Sequence, residues 1–227
     1  MEVQEQDLYR QLTTFYWEND LRPDEEQIER LIQFAELVIN KNSVINLVSR
    51  KDIQSIIENH IFISAYISKF IPERCFSYID IGTGGGFPGI PVAIVKPEMR
   101  GVLVDSIAKK TTAVEEFIEK LMLINVKVEN SRVEDPEFIA RHHGSFDLVV
   151  SRATVPLIVL MRYALPLIKQ KAWVLAMKGG DIAEEFDAMY LKFKHCIKKH
   201  TVYELHYKPT NLKNVKGKKL VLLEINK

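Results

Sequence analysis

The sequence predicts an α/β fold: a parallel sheet flanked by helices, closed by an antiparallel strand pair and preceded by a helical extension. Three observations carry this. From Phe76 onward, short apolar runs alternate with segments of helical period, the rhythm of strand–helix–strand units. The last two apolar runs have no helix between them, so they pair antiparallel or nearly so. Before Phe76 the apolar residues recur only at helical spacing.

The extension reads as three helices. Gln6–Glu18 is the first. Pro23 and Asp24 open the second, with Ile28, Leu31, Ile32, Ala35, Val38 and Ile39 on one face up to Lys41. Asn42 to Ser49 reads as a loop. A single third helix is expected from Lys51 to Phe70, with Ile53, Ile57, His60, Ile61 and Ser64 on one side and Pro72 ending it. The expected division is a helical cap over residues 1–72 and a sheet domain over 73–227.

In the second part Phe76–Ile81, Val102–Asp105, Val126–Glu129, Phe146–Ser151 and Trp173–Met177 read as strands. Helices are expected after the first strand from about Ile90, then at Ile107–Leu123, Asp135–His142, Val155–Ile168 and Asp181–Phe193. Thr201–Tyr207 and Lys219–Ile225 form the closing pair. Five parallel strands finished by such a pair is how methyltransferases using S-adenosylmethionine look; a plain dinucleotide-binding domain more often ends on another parallel strand.

Composition narrows the class. The chain has 227 residues, 47% hydrophobic and 27% charged, which suits one sizeable core with an appendage. No apolar run approaches the roughly 20 residues of a membrane span, and the acidic start MEVQEQD is unlike a signal peptide. Cys75 and Cys196 are far apart and make no metal-spaced pair, so a cytoplasmic protein with free thiols and no metal is expected. Net charge is only +1, but Lys192 to Lys227 holds ten lysines and two glutamates, leaving the rest acidic. That tail suits an anionic partner or a solvated lysine-rich edge hairpin.

The stretch from Phe76 to Gly89 holds the chemistry. Glycines that reach positive φ let a ligand touch the main chain, and the helix start beyond them offers free N–H groups. Gly84–Gly89 fits the dinucleotide pattern G-x-G-x-x-G, whereas Asp80–Gly86 fits D-x-G-x-G-x-G, with Gly82 and Gly84 at the turn. The second frame suits S-adenosylmethionine. A pyrophosphate disfavours a neighbouring carboxylate; a ligand with a sulfonium and an ammonium does not. Asp80 would support the loop or attract that ammonium.

Other candidates lie at the remaining strand ends. Asp105 can accept both ribose hydroxyls, or cap the following helix, although Ser106 can serve as that cap. After the third strand, Val133 can cover an adenine and Glu134 can meet its edge, or Glu134 and Asp135 merely charge a helix start. Ser151-Arg152-Ala153 ends the fourth strand, where Arg152 can bind the methionine carboxylate, a substrate phosphate or a surface carboxylate. Lys178 ends the fifth and is open to RNA phosphate or solvent.

Together IDIGTGGGFPGIP (79–91), VDSIAKK (104–110), SRVE (131–134), VVSRA (149–153) and AMKGG (176–180) resemble the glucose-inhibited division protein B family, also called RsmG. The resemblance spans the chain, including Ile45-Asn46-Leu47 and His60. It implies a Rossmann-like class I methyltransferase fold. It also implies an enzyme that methylates N7 of a guanine in the 530 loop of 16S ribosomal RNA, with S-adenosylmethionine as cofactor and the small ribosomal subunit or its precursor as partner. The family's cofactor contacts would fall on Gly82, Phe87, Val133, Glu134 and Arg152, with Phe87 a wall of the pocket, and a basic pair on Lys109 and Lys110. No membrane or metal partner is implied, and a monomer is expected. Where the family commonly has Arg and Asp around the histidine, this chain has Asn59 and Ile63. His60 is expected to pack rather than react. A nicotinamide-dependent oxidoreductase and a non-catalytic RNA- or ribosome-binding protein are the alternatives.

Overall fold

The structure is a computed structural model that describes residues 2–152 and 154–227. It opens with α1 (Glu2–Glu18) and α2 (Glu25–Asn42). The Asp24 side chain starts α2 by accepting the Gln27 N–H at 2.7 Å, which satisfies one of the donors a helix start leaves free. Ile28, Leu31, Ile32, Phe34, Ala35 and Val38 of α2 are buried. Burying an aliphatic or aromatic side chain of this size is worth about 1.5–3 kcal/mol, so this face fixes the helix against its neighbours. The Asn42 amide oxygen then accepts the N–H groups of Leu47 and Val48 at 2.8 and 3.0 Å, folding the loop back on the body.

The expected single helix from Lys51 to Phe70 is broken. It comprises 3₁₀ turns at Ile53–Ser55 and Ile67–Phe70, a π-helical turn at Ile57–Phe62, and a short α3 (Ile63–Tyr66). Within the widened turn the Asn59 carbonyl accepts an N–H from Arg152, across 93 positions of sequence. A wide turn brings backbone groups out of the regular ladder, and such turns collect at functional sites.

Then follow β1 (Ser77–Ile81), α4 (Gly89–Val95), β2 (Arg100–Asp105), α5 (Ala108–Lys120), β3 (Val126–Asn130), α6 (Pro136–His142), β4 (Phe146–Arg152), α7 (Leu157–Leu167), β5 (Ile168–Gly179), α8 (Ala183–Phe193), β6 (Ile197–Glu204) and β7 (Lys218–Asn226). The strands form one sheet in the order β3-β2-β1-β4-β5-β7-β6. Neighbours from β3 to β5 pair parallel; β7 pairs antiparallel with both β5 and β6. The alternation and the antiparallel close are as the sequence predicts. β5 is longer than expected because β7 pairs with it from Lys171↔Asn226 to Gly179↔Lys218, extending the ladder on both sides of the apolar stretch.

Two apolar layers sandwich the sheet. One joins Tyr78, Leu103, Leu148 and Leu175 to α4, α5 and the helical extension in a single cluster. The other joins Ile79, Val104, Val149 and Val174 to α6, α7 and α8. Both faces of the central strands are therefore covered, which is why they read as continuous apolar runs. Among the described residues no helix is long and apolar enough to cross a membrane, and no group of three or more His, Cys, Asp and Glu is placed to hold a metal. The strand order reverses between β1 and β4, which opens a crevice beyond their carboxyl ends.

Candidate active site

The glycine loop is built from β1 side chains. Asp80 is fully buried, and its Oδ2 accepts the Thr83 hydroxyl at 2.7 Å and the Gly89 N–H at 2.9 Å. Tyr78, two residues earlier on the same strand face, donates its hydroxyl to the Gly89 carbonyl at 2.7 Å. Asp80 Oδ1 has no hydrogen-bond partner among the described residues. Burial pushes the Asp80 carboxyl up to about 7 against the hydrogen bonds from Thr83 and Gly89 and the charge of Arg152. Of its two expected roles, the structure gives Asp80 the support of the loop.

Above this support the backbone turns away from the sheet. Gly82 has φ +72°, and a Cβ there would stand 2.5 Å from Thr154 Cγ2. Gly84 has φ +58° with open space around it, and its N–H is held by Asp105 Oδ2 at 2.9 Å. Asp105 Oδ1 accepts the Ile107 N–H at 2.9 Å. No side chain caps α5, so Asp105 ties the two loops together instead of capping that helix. Each of its oxygens has a second lone pair for a hydroxyl donor.

A cleft of about 220 Å³ lies at these strand ends, with Gly82, Asp105, Val133 and Glu134 in its wall beside Thr154 and Tyr163. Val133 is buried and Glu134 exposed. Glu134 also lies 3.9 Å from the Arg132 guanidinium. The sequence did not single out Thr154 or Tyr163. The Thr154 hydroxyl pairs with Ser151 Oγ at 2.6 Å, and Ser151 donates to the Ile81 carbonyl. The expected Ala153 lies outside the described residues. The cleft fits an adenosyl group with a cationic arm: two carboxylates, an apolar wall and a glycine turn, without the free helix start a pyrophosphate needs.

Phe87 is placed elsewhere. It is buried behind the loop, with its ring 4.9 Å from Phe34 and 5.1 Å from His60, and it does not line this cleft. The apolar helical extension draws the ring inward. Arg152 lies over the Phe87 face, its guanidinium carbon 5.0 Å from the centroid. It donates to the Asn59 carbonyl at 3.1 Å and to His60 Nδ1 at 2.5 Å. Arg152 is therefore not a surface ion pair. Burial lowers it to about 10 despite Asp80 and Asp52 nearby. His60 is held neutral: burial, Arg152 and Lys218 lower it to about 3. It packs, as expected, and positions Arg152.

The lysines separate into two kinds. Lys109 is exposed and Lys110 half-buried at the start of α5, both without an ion-pair partner among the described residues. Lys178 lines the mouth of a second pocket but is already paired there. It is drawn inward to the Val155 carbonyl at 2.7 Å and the Glu185 carboxylate at 2.5 Å. Lys216 and Lys218 turn in toward Arg152, because antiparallel β7 begins at the end of the sheet where β5 stops.

A seven-stranded sheet in this order, with a glycine turn after β1 and an acidic residue at the end of β2, is the Rossmann-like fold of class I methyltransferases. Solved structures agree on the fold. A SAM-dependent O-methyltransferase from Thermotoga maritima superposes with a TM-score of 0.57 at 13% identity, covering 84% of this chain and 71% of that one. TYW2 of M. jannaschii, solved with AdoMet, gives 0.55 at 17% identity, covering 81% and 78%. The profile of the family "GidB: rRNA small subunit methyltransferase G" matches residues 27–213, and the chain belongs to that family. The ribosomal RNA small subunit methyltransferase G of Chlorobium luteolum is 41% identical over 163 residues, 71% of this chain and 66% of that protein. Its namesake from Bacteroides fragilis strain ATCC 25285 is 38% identical over 187 residues, 79% of this chain and 86% of that protein. The match thus spans just under two thirds of the Chlorobium luteolum protein and more of the Bacteroides fragilis one.

Proposed function

We propose that this protein transfers a methyl group from S-adenosylmethionine to N7 of a guanine in the 530 loop of 16S ribosomal RNA. Membership of the rRNA small subunit methyltransferase G family supports the small-subunit RNA as substrate. The observation that carries the chemistry is the cleft at the ends of β1, β2 and β3, with Asp105 in its wall anchored to the Gly84 N–H. An acidic residue at Asp105 suits the ribose of either an adenosyl sulfonium or a nicotinamide dinucleotide, and family membership favours the first.

When bound, the cofactor supplies an electrophilic methyl on a sulfonium. Gly82 and Gly84 would admit its amino-acid arm close to the backbone. Asp105 would accept the ribose hydroxyls, Val133 would cover the adenine, and Glu134 would meet its edge. Arg152 lies outside this cleft and would take an anionic group in the neighbouring pocket, and Phe87 would hold Arg152 from behind. Guanine N7 has an in-plane lone pair and no proton, so no side chain need act as base. The protein's task is alignment, which by itself accelerates reactions greatly. Lys109 and Lys110 would meet RNA phosphates at the mouth.

Calorimetric titration tests the cofactor half of this reading. Saturable binding of S-adenosylmethionine and none of NADH is expected; the reverse would sink it.

A further inference from the structure

A second pocket, of about 430 Å³, opens between the widened helical turn and the ends of β4, β5 and β7. Asp52, Asn59 and His60 line it on one side, Arg152 and Lys218 on the other. None of its lining residues lines the adenosyl cleft. We propose that this pocket binds a phosphodiester group of the RNA substrate, gripped by Lys218 together with Arg152. The proposal rests on the RNA methyltransferase reading and adds the residues that hold the substrate backbone.

The argument is one of charge accounting in a dry place. Four cations line the pocket: Arg152, Lys178, Lys216 and Lys218. Lys178 is neutralised by Glu185 and Lys216 by Glu58. Neither Arg152 nor Lys218 has an ion-pair partner among the described residues. Arg152 meets only neutral acceptors, the Asn59 carbonyl and His60 Nδ1. Two of its five N–H groups are accounted for in this way. Lys218 donates to Asn59 Oδ1 at 3.2 Å and to the Tyr207 hydroxyl at 2.9 Å, and lies 5.4 Å from the Tyr207 ring centroid. Tyr207 in turn donates to Glu58, which already holds Lys216.

The one carboxylate in the lining, Asp52, is half exposed and faces His60, 3.8 Å from Nε2. Because Nδ1 accepts from Arg152, the neutral ring carries its proton on Nε2, and that atom is buried without a hydrogen-bond partner. Two unpaired cations against one carboxylate leave the pocket net positive. Burying an unpaired charge costs several kcal/mol, and burial lowers Lys218 to about 8. An entering oxyanion would relieve that cost, through charge-assisted bonds that a lysine and an arginine make to phosphate.

The anion has two chemical sources, the cofactor's carboxylate and the RNA's phosphate. Position favours the RNA at Lys218, whereas Arg152 ends β4, the immediate neighbour of β1, and stands between the two sites. Lys218 is brought in by β7, on the side of β5 away from β1 and β2, whose ends carry the adenosyl cleft.

The test measures binding of a 16S rRNA transcript to the full chain over a series of KCl concentrations, and S-adenosylmethionine affinity by calorimetry. Lys218→Met is expected to weaken RNA binding about three- to tenfold at low salt. It should also flatten the slope of log K against log salt by about 0.7–0.9, one phosphate contact. Lys218→Arg should restore most of both, and cofactor affinity should not change. Lys218→Gln serves as the second truncation if the methionine variant misfolds. Unchanged RNA affinity and slope would overturn the proposal. So would a loss of cofactor affinity with RNA binding intact, which would give the pocket to the cofactor's carboxylate. Methylation is not the readout, so failure of the activity reading and failure of this site are separable.

Discussion

The Asp80 carboxylate holds the Gly89 N–H at 2.9 Å, so a buried acid on β1 fixes the first residue of the helix on the far side of the glycine loop. Tyr78 holds the carbonyl of the same glycine. A side chain at Gly89 would stand 2.6 Å from Leu103 and 2.8 Å from Asp80 itself. The glycine loop is thus set from beneath, by groups that do not line the cleft beside it.

That arrangement has a pH signature. Asp80 is raised from 3.8 to about 7, chiefly by burial. In that range the folded protein keeps a proton that the unfolded chain gives up. Its contribution to stability is therefore full below about pH 4 and is lost as pH rises to about 7. Asp80→Asn removes this dependence while keeping an acceptor for Thr83 and Gly89. The melting temperature of the wild type minus that of the variant should fall between pH 4 and 7 and then level off. A flat or rising difference would contradict the assignment.

Gly82→Ala forces a side chain into left-handed backbone beside Thr154. The conformation alone costs about 1–2 kcal/mol, and the new Cβ would meet Thr154 Cγ2 at 2.5 Å. Urea melts should show a loss of at least that size, with weaker cofactor binding. Adding Thr154→Ser removes the obstructing methyl, keeps the hydroxyl bonded to Ser151, and should recover part of the stability.

Asp105→Ala frees the Gly84 and Ile107 N–H groups together. Hydrogen bonds to a charged group contribute about 1.5–3 kcal/mol, so S-adenosylmethionine affinity should drop about 10- to 100-fold by calorimetry. A drop under about twofold would remove Asp105 from the site.

Arg152→Ala removes a cation–π contact of about 1–2 kcal/mol but also an unpaired buried charge, so the melting temperature should move by only about 5 °C or less. Turnover should fall about 10- to 100-fold. Unchanged methylation kinetics would exclude Arg152 from the site.

Much of this was legible in the chain. Strand ends announce themselves through apolar runs that stop at Gly82, Asp105 and Arg152, and the missing crossover before Lys219 announces the antiparallel close. What stayed hidden depends on contacts distant in sequence. Helical spacing from Ile53 to Ile67 says nothing of the wide turn at Asn59, where Arg152 enters. Phe87 reads as a pocket wall until Phe34 and His60 are seen to enclose it. Lys178 and Lys218 look alike by sequence, yet Glu185 neutralises the first and no described carboxylate forms an ion pair with the second. A signal for Lys218 was present: an antiparallel last strand must begin where the fifth strand ends.

The most direct measurement of the central claim is methyl transfer itself. Protein, labelled S-adenosylmethionine and either 30S subunits or naked 16S rRNA are incubated, and 7-methylguanine is mapped by chemical strand scission at that base. The expected result is stoichiometric label at N7 of one guanine in the 530 loop with at least one of the two substrates. Label at another atom, or no label in 16S rRNA from either substrate by a protein that binds the cofactor, would contradict it.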